Sequence, residues 1–267
     1  MKKTILQEII KNKLTWLNIR KKKQPLISFK NKIKKTDRNF NQSINNRQPF
    51  FILECKQSSP SLGIIRKNFN LIDICRVYKK YASVISVLTD EQYFNGKLEF
   101  IPIVRSIVTQ PVLCKDFFID PYQVYLARYF QADAILLMLS ILSNEQYNIL
   151  SNIANNMNMG IITEINNKIE LNRAILLNAK VIGINNRNLH DFSIDLNCTR
   201  NIAPLIPNNI KIISESGINN YSQIRELSAL VHGFLIGSSL MLQKNLDIAI
   251  RKVIMGDNKV CGLTQKK

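Results

Sequence analysis

From residue 50 onward, short β-branched apolar runs alternate with longer amphipathic stretches, and nothing else in the chain restricts its fold as tightly. The apolar runs fall at 50–56, 84–89, 111–117, 134–140, 160–165, 181–186, 210–215 and 233–238. Helical patterns occupy 71–81, 100–108, 121–130, 145–157 and 169–178, then 199–205, 221–230 and 246–255. Several runs are almost continuously apolar, as strands covered on both faces require. Eight strand–helix units at this spacing predict an α/β fold, a (β/α)8 TIM barrel. An open doubly wound sheet is the alternative, but no GxGxxG follows the first run. The length of 267 residues suits one such barrel, and a hydrophobic share of 46% is ample for its core.

Residues 1–49 precede the barrel as an N-terminal helical extension, the barrel itself spans 50–256, and 257–267 follow it. Leu6, Ile9, Ile10, Leu14 and Leu17 recur at helical spacing, which predicts a helix packed on the barrel. The net charge of +18 would ordinarily suggest a nucleic-acid surface. Much of the excess, however, sits in the first 40 residues and at the very end, in a chain rich throughout in Lys, Asn and Ile. A bias toward AT-rich codons accounts for that composition, so no nucleic-acid partner is expected. Steering of an anionic substrate remains a side benefit.

Gln7, Glu8 and Lys11 interrupt the apolar stretch at the N-terminus, so no signal peptide is read there. No apolar run approaches the ~20 residues that span a bilayer, and no membrane partner is expected. The five cysteines (Cys55, Cys75, Cys114, Cys198, Cys261) show no CxxC spacing, and only His190 and His232 could join a metal site. These features lead to the expectation of a reduced, soluble, cytoplasmic protein without a metal.

The chemistry concentrates at the strand ends, where a barrel of this type carries its active site. In FILECKQSSPS, Glu54 and Lys56 lie two residues apart and so project from one face of the first strand. Lys115 with Asp116 ends the third strand and Glu164 the fifth. Asn185, Asn186 and Arg187 end the sixth, Glu215 and Ser216 the seventh, and Gly237 and Ser238 the eighth. A single charged strand end is commonplace. Three glutamates, two lysines and an arginine converging on one mouth are not, and such clustering separates acid from base roles. Ser216-Gly217 and Gly237-Ser238 add two glycine–serine loops after the seventh and eighth strands, the usual phosphate site of the fold.

The segments ECKQSSPS, VLTDEQYFNG, LCKDFFIDPYQ, LLMLS, TEI, IGINNRNL, ISESGI and LIGSSLM together resemble the indole-3-glycerol phosphate synthase family of tryptophan biosynthesis. The likeness runs in order over essentially the whole chain. It implies a (β/α)8 barrel with an extra N-terminal helix near the mouth. It also implies a small anionic sugar-phosphate substrate, 1-(2-carboxyphenylamino)-1-deoxyribulose 5-phosphate, closed to indole-3-glycerol phosphate with loss of carbon dioxide and water. No metal or organic cofactor is implied.

Carried over by motif, Lys115 resembles the family's general acid and Glu164 its general base. Glu54 matches the carboxylate that assists proton movement and orders the lysines, while Lys56 holds the anionic substrate. Asn185 and Glu215 look like substrate-orienting groups supported by Arg187. Ser216, Gly217, Gly237 and Ser238 correspond to the phosphate cradle, with Ser59 nearby. The chain departs from the pattern in its first loop, where Gln57 and Leu62 stand in place of further basic residues. Its tail KVCGLT resembles the opening strand of phosphoribosylanthranilate isomerase, which some bacteria fuse after the synthase. With only six residues after Cys261, residues 257–267 read as the stub of an isomerase domain absent from this chain. Two rivals stand beside the synthase reading: another phosphate-binding barrel of the pathway, and a decayed remnant that binds nucleic acid through its basic N-terminal face.

Overall fold

The computed structural model describes residues 4–188 and 191–256. Eight parallel strands close into a barrel: β1 (Phe50–Cys55), β2 (Val84–Leu88), β3 (Val112–Lys115), β4 (Ala134–Met138), β5 (Gly160–Ile165), β6 (Val181–Asn185), β7 (Lys211–Glu215) and β8 (Gly233–Ile236). Each strand pairs with its neighbours in sequence, and β1 pairs with β8 to complete the ring. The register aligns the functional ends, setting Leu88 beside Lys115, Met138 beside Glu164 and Asn185 beside Glu215.

The helices are α1 (Ile5–Lys23), α2 (Phe40–Asn45), α3 (Leu71–Tyr78), α4 (Glu91–Phe94), α5 (Phe100–Ile107) and α6 (Pro121–Tyr129). After them come α7 (Asn144–Asn156), α8 (Lys168–Leu176), α9 (Asn197–Ile202), α10 (Tyr221–Leu227), α11 (Ser238–Met241) and α12 (Leu246–Met255). Asparagine, so abundant in this composition, serves as their punctuation. Asn39, Asn70, Asn167, Asn220 and Asn245 each accept a backbone N–H at the start of a helix. This satisfies donors that the helix itself leaves unpaired.

Side-chain alternation divides the strands between two cores. One face of each strand packs outward against the helices, as Phe51, Leu53, Ile85, Cys114, Leu137 and Ile184 do. The other fills the barrel, with Phe50, Ile52, Leu113, Leu136, Ile162, Ile213 and Leu235 in one buried cluster. Phe40 and Ile44 of α2 join that inner cluster and plug the amino-terminal end. Gly160 opens β5 there because any Cβ would collide with the Phe40 ring. The barrel is therefore packed from its floor upward, and open space remains at the carboxyl mouth.

Several expected boundaries move for physical reasons. The run 111–117 contributes only Val112–Lys115 to the sheet, because the Asp116 carboxylate turns to accept the Phe117 N–H and the Lys13 ammonium. The run 233–238 stops at Ile236, and Ser238, expected as a strand end, instead begins α11. The helix expected at 199–205 breaks at Ile202 into a 3-10 turn, Ala203–Leu205, because Pro204 has no N–H to continue the α ladder.

The N-terminal helix forms, but on a corrected face. Ile9, Lys13 and Leu17 are its buried residues, whereas Leu14, expected in the apolar stripe, is 52% exposed. Cys55, Cys75 and Cys114 are buried free thiols and Cys198 is half-buried, while Cys261 lies outside the described residues. The stub expected at 257–267 lies outside them as well, as does His190. Among the described residues no helix is long and apolar enough to cross a membrane.

Candidate active site

The functional side chains continue the inward faces of the strands by one further step. Glu54 follows Phe50 and Ile52, Lys115 follows Leu113, Glu164 follows Ile162 and Glu215 follows Ile213, each two residues on. An inward residue below is therefore packed, and its successor at the mouth emerges on that packed floor. Glu54, Lys56, Ser59, Lys115, Glu164, Asn185, Arg187, Glu215, Ser216, Gly217, Gly237 and Ser238 all line one cavity. Apolar walls complete it: Ile5, Leu6 and Ile9 from α1, with Phe94, Phe117 and Met138.

Lys56 Nζ donates to Glu54 Oε1 at 2.7 Å, and Glu54 is 3% exposed. Burial pushes the Glu54 carboxyl upward, yet the Lys56 and Lys115 ammonium groups overcome it and hold the group below the usual carboxylate range. Lys115 Nζ faces Glu164 Oε2 at 3.8 Å, an ion pair too loose for a strong hydrogen bond. Burial draws Lys115 down, but Glu164, Glu54 and Glu215 outweigh it and raise the ammonium above its ordinary value. Asn185 Nδ2 donates to Glu164 Oε1 at 3.1 Å, and Asn185 Oδ1 accepts the Arg187 N–H at 3.0 Å.

Glu215 is the anomaly. It is 1% exposed and its Oε1 has no hydrogen-bond partner among the described residues. Burial, reinforced by the Glu164 carboxylate, pushes it up to about 8. Gly183 on β6 makes room for it, since a Cβ there would strike Glu215 Oε1. Gly237 does the same for Glu54 Oε1. After β7 the backbone turns through two left-handed residues, Ser216 at φ 65° and Gly217 at φ 82°. Only glycine adopts such angles readily, so Ser216 is held there by its surroundings.

A model of the indole-3-glycerol phosphate synthase family matches residues 6–253. The chain belongs to the indole-3-glycerol phosphate synthase family. It is 67% identical over 265 residues to the tryptophan biosynthesis protein TrpCF of Buchnera aphidicola subsp. Diuraphis noxia, covering 99% of this chain and 58% of that protein. Against TrpCF of Vibrio cholerae serotype O1 the identity is 56%, over 97% of this chain and 55% of the relative. The chain thus spans little more than half the length of the curated relatives it matches. Among solved structures, KGPDC from Streptococcus mutans superposes with a TM-score of 0.61 at 12% identity, covering 81% of this chain and all of that one. The thiamine phosphate pyrophosphorylase of Pyrococcus furiosus gives 0.60 at 16% identity, covering 81% and 98%. At such identities these two likenesses speak for the barrel fold alone.

Within this synthase-family barrel, several contacts that shape the site escaped the sequence reading. Asn186 Nδ2 donates to Ser214 Oγ, Glu215 O and Ser216 O, all within 3.1 Å, and so fixes the turn after β7. Ser239 Oγ donates to Ile218 O at 2.7 Å and ties the loop after β8 to the loop after β7. Arg187 reaches from the sixth loop to Ser61 Oγ of the first at 3.3 Å and to Phe192 O at 3.0 Å. Lys13, counted only as part of a basic terminus, is buried beneath α1 between Asp90 and Asp116. Its spacing of four from both Ile9 and Leu17 was the available signal.

Proposed function

We propose that this chain closes 1-(2-carboxyphenylamino)-1-deoxyribulose 5-phosphate to indole-3-glycerol phosphate, releasing carbon dioxide and water. The observation that carries the reading is the Lys115 ammonium held among Glu164, Glu54 and Glu215 in an apolar-walled cavity. Family membership and the TrpCF relatives support it from a second direction.

In the proposed sequence, the aromatic carbon bearing the carboxylate attacks the ketone carbon, forming the new carbon–carbon bond. Lys115 gives its proton to the ketone oxygen, which becomes a hydroxyl. Because the surrounding carboxylates keep this lysine charged, the proton is available at neutral pH. The bond to the carboxylate then breaks, its electron pair returns to the ring, and carbon dioxide leaves. Apolar walls favour that loss, since a buried carboxylate is costly and carbon dioxide is not. Finally Glu164 takes a proton from the nitrogen-bound carbon of the new five-membered ring, and the hydroxyl leaves as water on a proton from the Lys56 ammonium at the same mouth.

Glu54 orders Lys56, which offers charge to the substrate's anionic groups. Asn185 holds Glu164 in place, and Glu215 orients the substrate with Arg187 supporting that shell. The turn at Ser216 and Gly217, with Gly237 and Ser238, takes the phosphate, with Ser59 of the first loop nearby. The barrel from 50 to 256 is proposed as the catalytic unit and the preceding segment as its cover.

The test is a fluorescence assay for indole-3-glycerol phosphate, with Lys115→Ala and Glu164→Gln as controls. Turnover by the parent that collapses in both variants supports the reading. No turnover by a demonstrably folded chain overturns it.

A further inference from the structure

We propose that Lys13 is a positioning residue that seats helix α1 as a wall of the active-site cavity. The structure puts its side chain, 4% exposed, beneath the helix rather than in solvent. Its Nζ donates to Asp90 Oδ2 at 2.6 Å and to Asp116 Oδ1 at 2.7 Å. Both carboxylates are themselves buried and spoken for. Asp90 Oδ1 accepts the Tyr93 N–H at the start of α4, and Asp116 Oδ2 accepts from Thr89 Oγ1 at 2.7 Å. One ammonium thus joins the helix to the ends of β2 and β3.

Lys13 lies on the same face of α1 as Ile9, one turn back, and Ile5 and Leu6, two turns back. Those three side chains are the ones α1 contributes to the cavity. Burial opposes the charge on Lys13, yet Asp116 and Asp90 together raise its ammonium above the ordinary value. Removing it leaves two buried carboxylates facing each other with no cation between them. The helix would then lose its tie to the end of the strand that carries Lys115. Asp116 is the residue after Lys115, so the same bond steadies the end of β3.

The chain carries its own reporter. Trp16, its one tryptophan, sits on α1, packs against the outer core and lies 5.2 Å from the Lys13 ammonium. Lifting of α1 must therefore change its emission. The full chain is compared as parent, Lys13→Met and Lys13→Arg, reading Trp16 emission and steady-state kinetics with the carboxyphenylamino sugar phosphate. In Lys13→Met the emission shifts to the red and KM rises about tenfold, with a smaller change in kcat, because a binding wall is lost rather than a reacting group. Lys13→Arg recovers part of both.

Where Lys13→Met fails to fold, Lys13→Met/Asp90→Asn removes one of the two facing carboxylates, and with it their repulsion, while leaving a capping residue, and it is read in the same way. That double variant also separates the roles: it regains melting temperature but not the parent emission or KM. Parent-like emission, or a parent-like KM in a variant whose emission has shifted, overturns the proposal. The kinetic arm rests on the synthase reading, and the emission arm does not. If the parent shows no turnover, the synthase reading fails, and acrylamide quenching of Trp16, which loss of the nearby charge alone does not raise, decides whether Lys13 holds the helix.

Discussion

The Lys115 ammonium and the Glu164 carboxylate stand 3.8 Å apart although their strands are not neighbours: β4 runs between β3 and β5. The pair meets across the curve of the barrel, so neither residue can move far without opening it. Separation of this kind keeps the proton donor charged while leaving its N–H groups free to turn toward a ligand.

Lys115→Ala and Glu164→Gln are each expected to lower kcat by about 10²- to 10⁴-fold, the usual contribution of one positioned acid or base. KM should move much less, since both act on bonds changing in the transition state. Steady-state rates with circular dichroism as a fold control check this.

Glu215 predicts a pH-dependent stability. Buried beside Glu164, it is raised from an ordinary 4.5 to about 8, so the folded state binds a proton there that the unfolded chain has already released. Its contribution is complete below the unfolded value and is lost as pH rises through the folded one. Melting temperatures of the parent should fall relative to Glu215→Gln between pH 5 and 9, roughly the span separating those two values. Parallel curves for the two proteins would remove Glu215 as the cause.

Gly237→Ala introduces a Cβ into the space held by Glu54 Oε1, with Glu54 Cδ only 3.1 Å away. The carboxylate is buried and paired with Lys56, so it cannot swing into water cheaply. A loss of about 10²-fold in kcat/KM is expected, on the scale that small misplacements of reacting groups produce. The melting temperature should change little by comparison.

Asp133 predicts the opposite separation. It is fully buried at the amino-terminal end of β4, where Oδ1 accepts from Thr36, Arg105 and Arg128 and Oδ2 accepts the Val112 N–H at 2.9 Å. Asp133→Ala takes the buried carboxylate from both arginines, leaving Arg105 only its exposed partner Asp37, and should cost about 3–5 kcal/mol in urea unfolding. Because the residue lies at the floor of the barrel, the folded fraction should keep its kcat.

The strand-end chemistry was legible because it obeys a period of two. Ile162 inward makes Glu164 inward, and the same rule carries Ile213 to Glu215 and Leu113 to Lys115. What escaped depends on contacts that no local pattern contains. Lys13 reads as a solvated charge until Asp90 and Asp116, remote in sequence, are folded against it. Leu14 reads as core for the converse reason: the helix turns toward those carboxylates and carries the leucine out to solvent. Asn186 is likewise ordinary in a strand-end motif, and only the turn after β7 shows what its amide holds.

The way α1 is fastened also bears on how the molecule comes to life. The helix precedes all eight strands in the chain, and its anchors Asp90 and Asp116 follow only the second and third of them. A folding chain can therefore seat this wall on β2 and β3 before the strands that end in Glu164 and Glu215 close the ring. Competence to bind should still arrive late in folding, when the turns after β7 and β8 come round to meet a wall already standing.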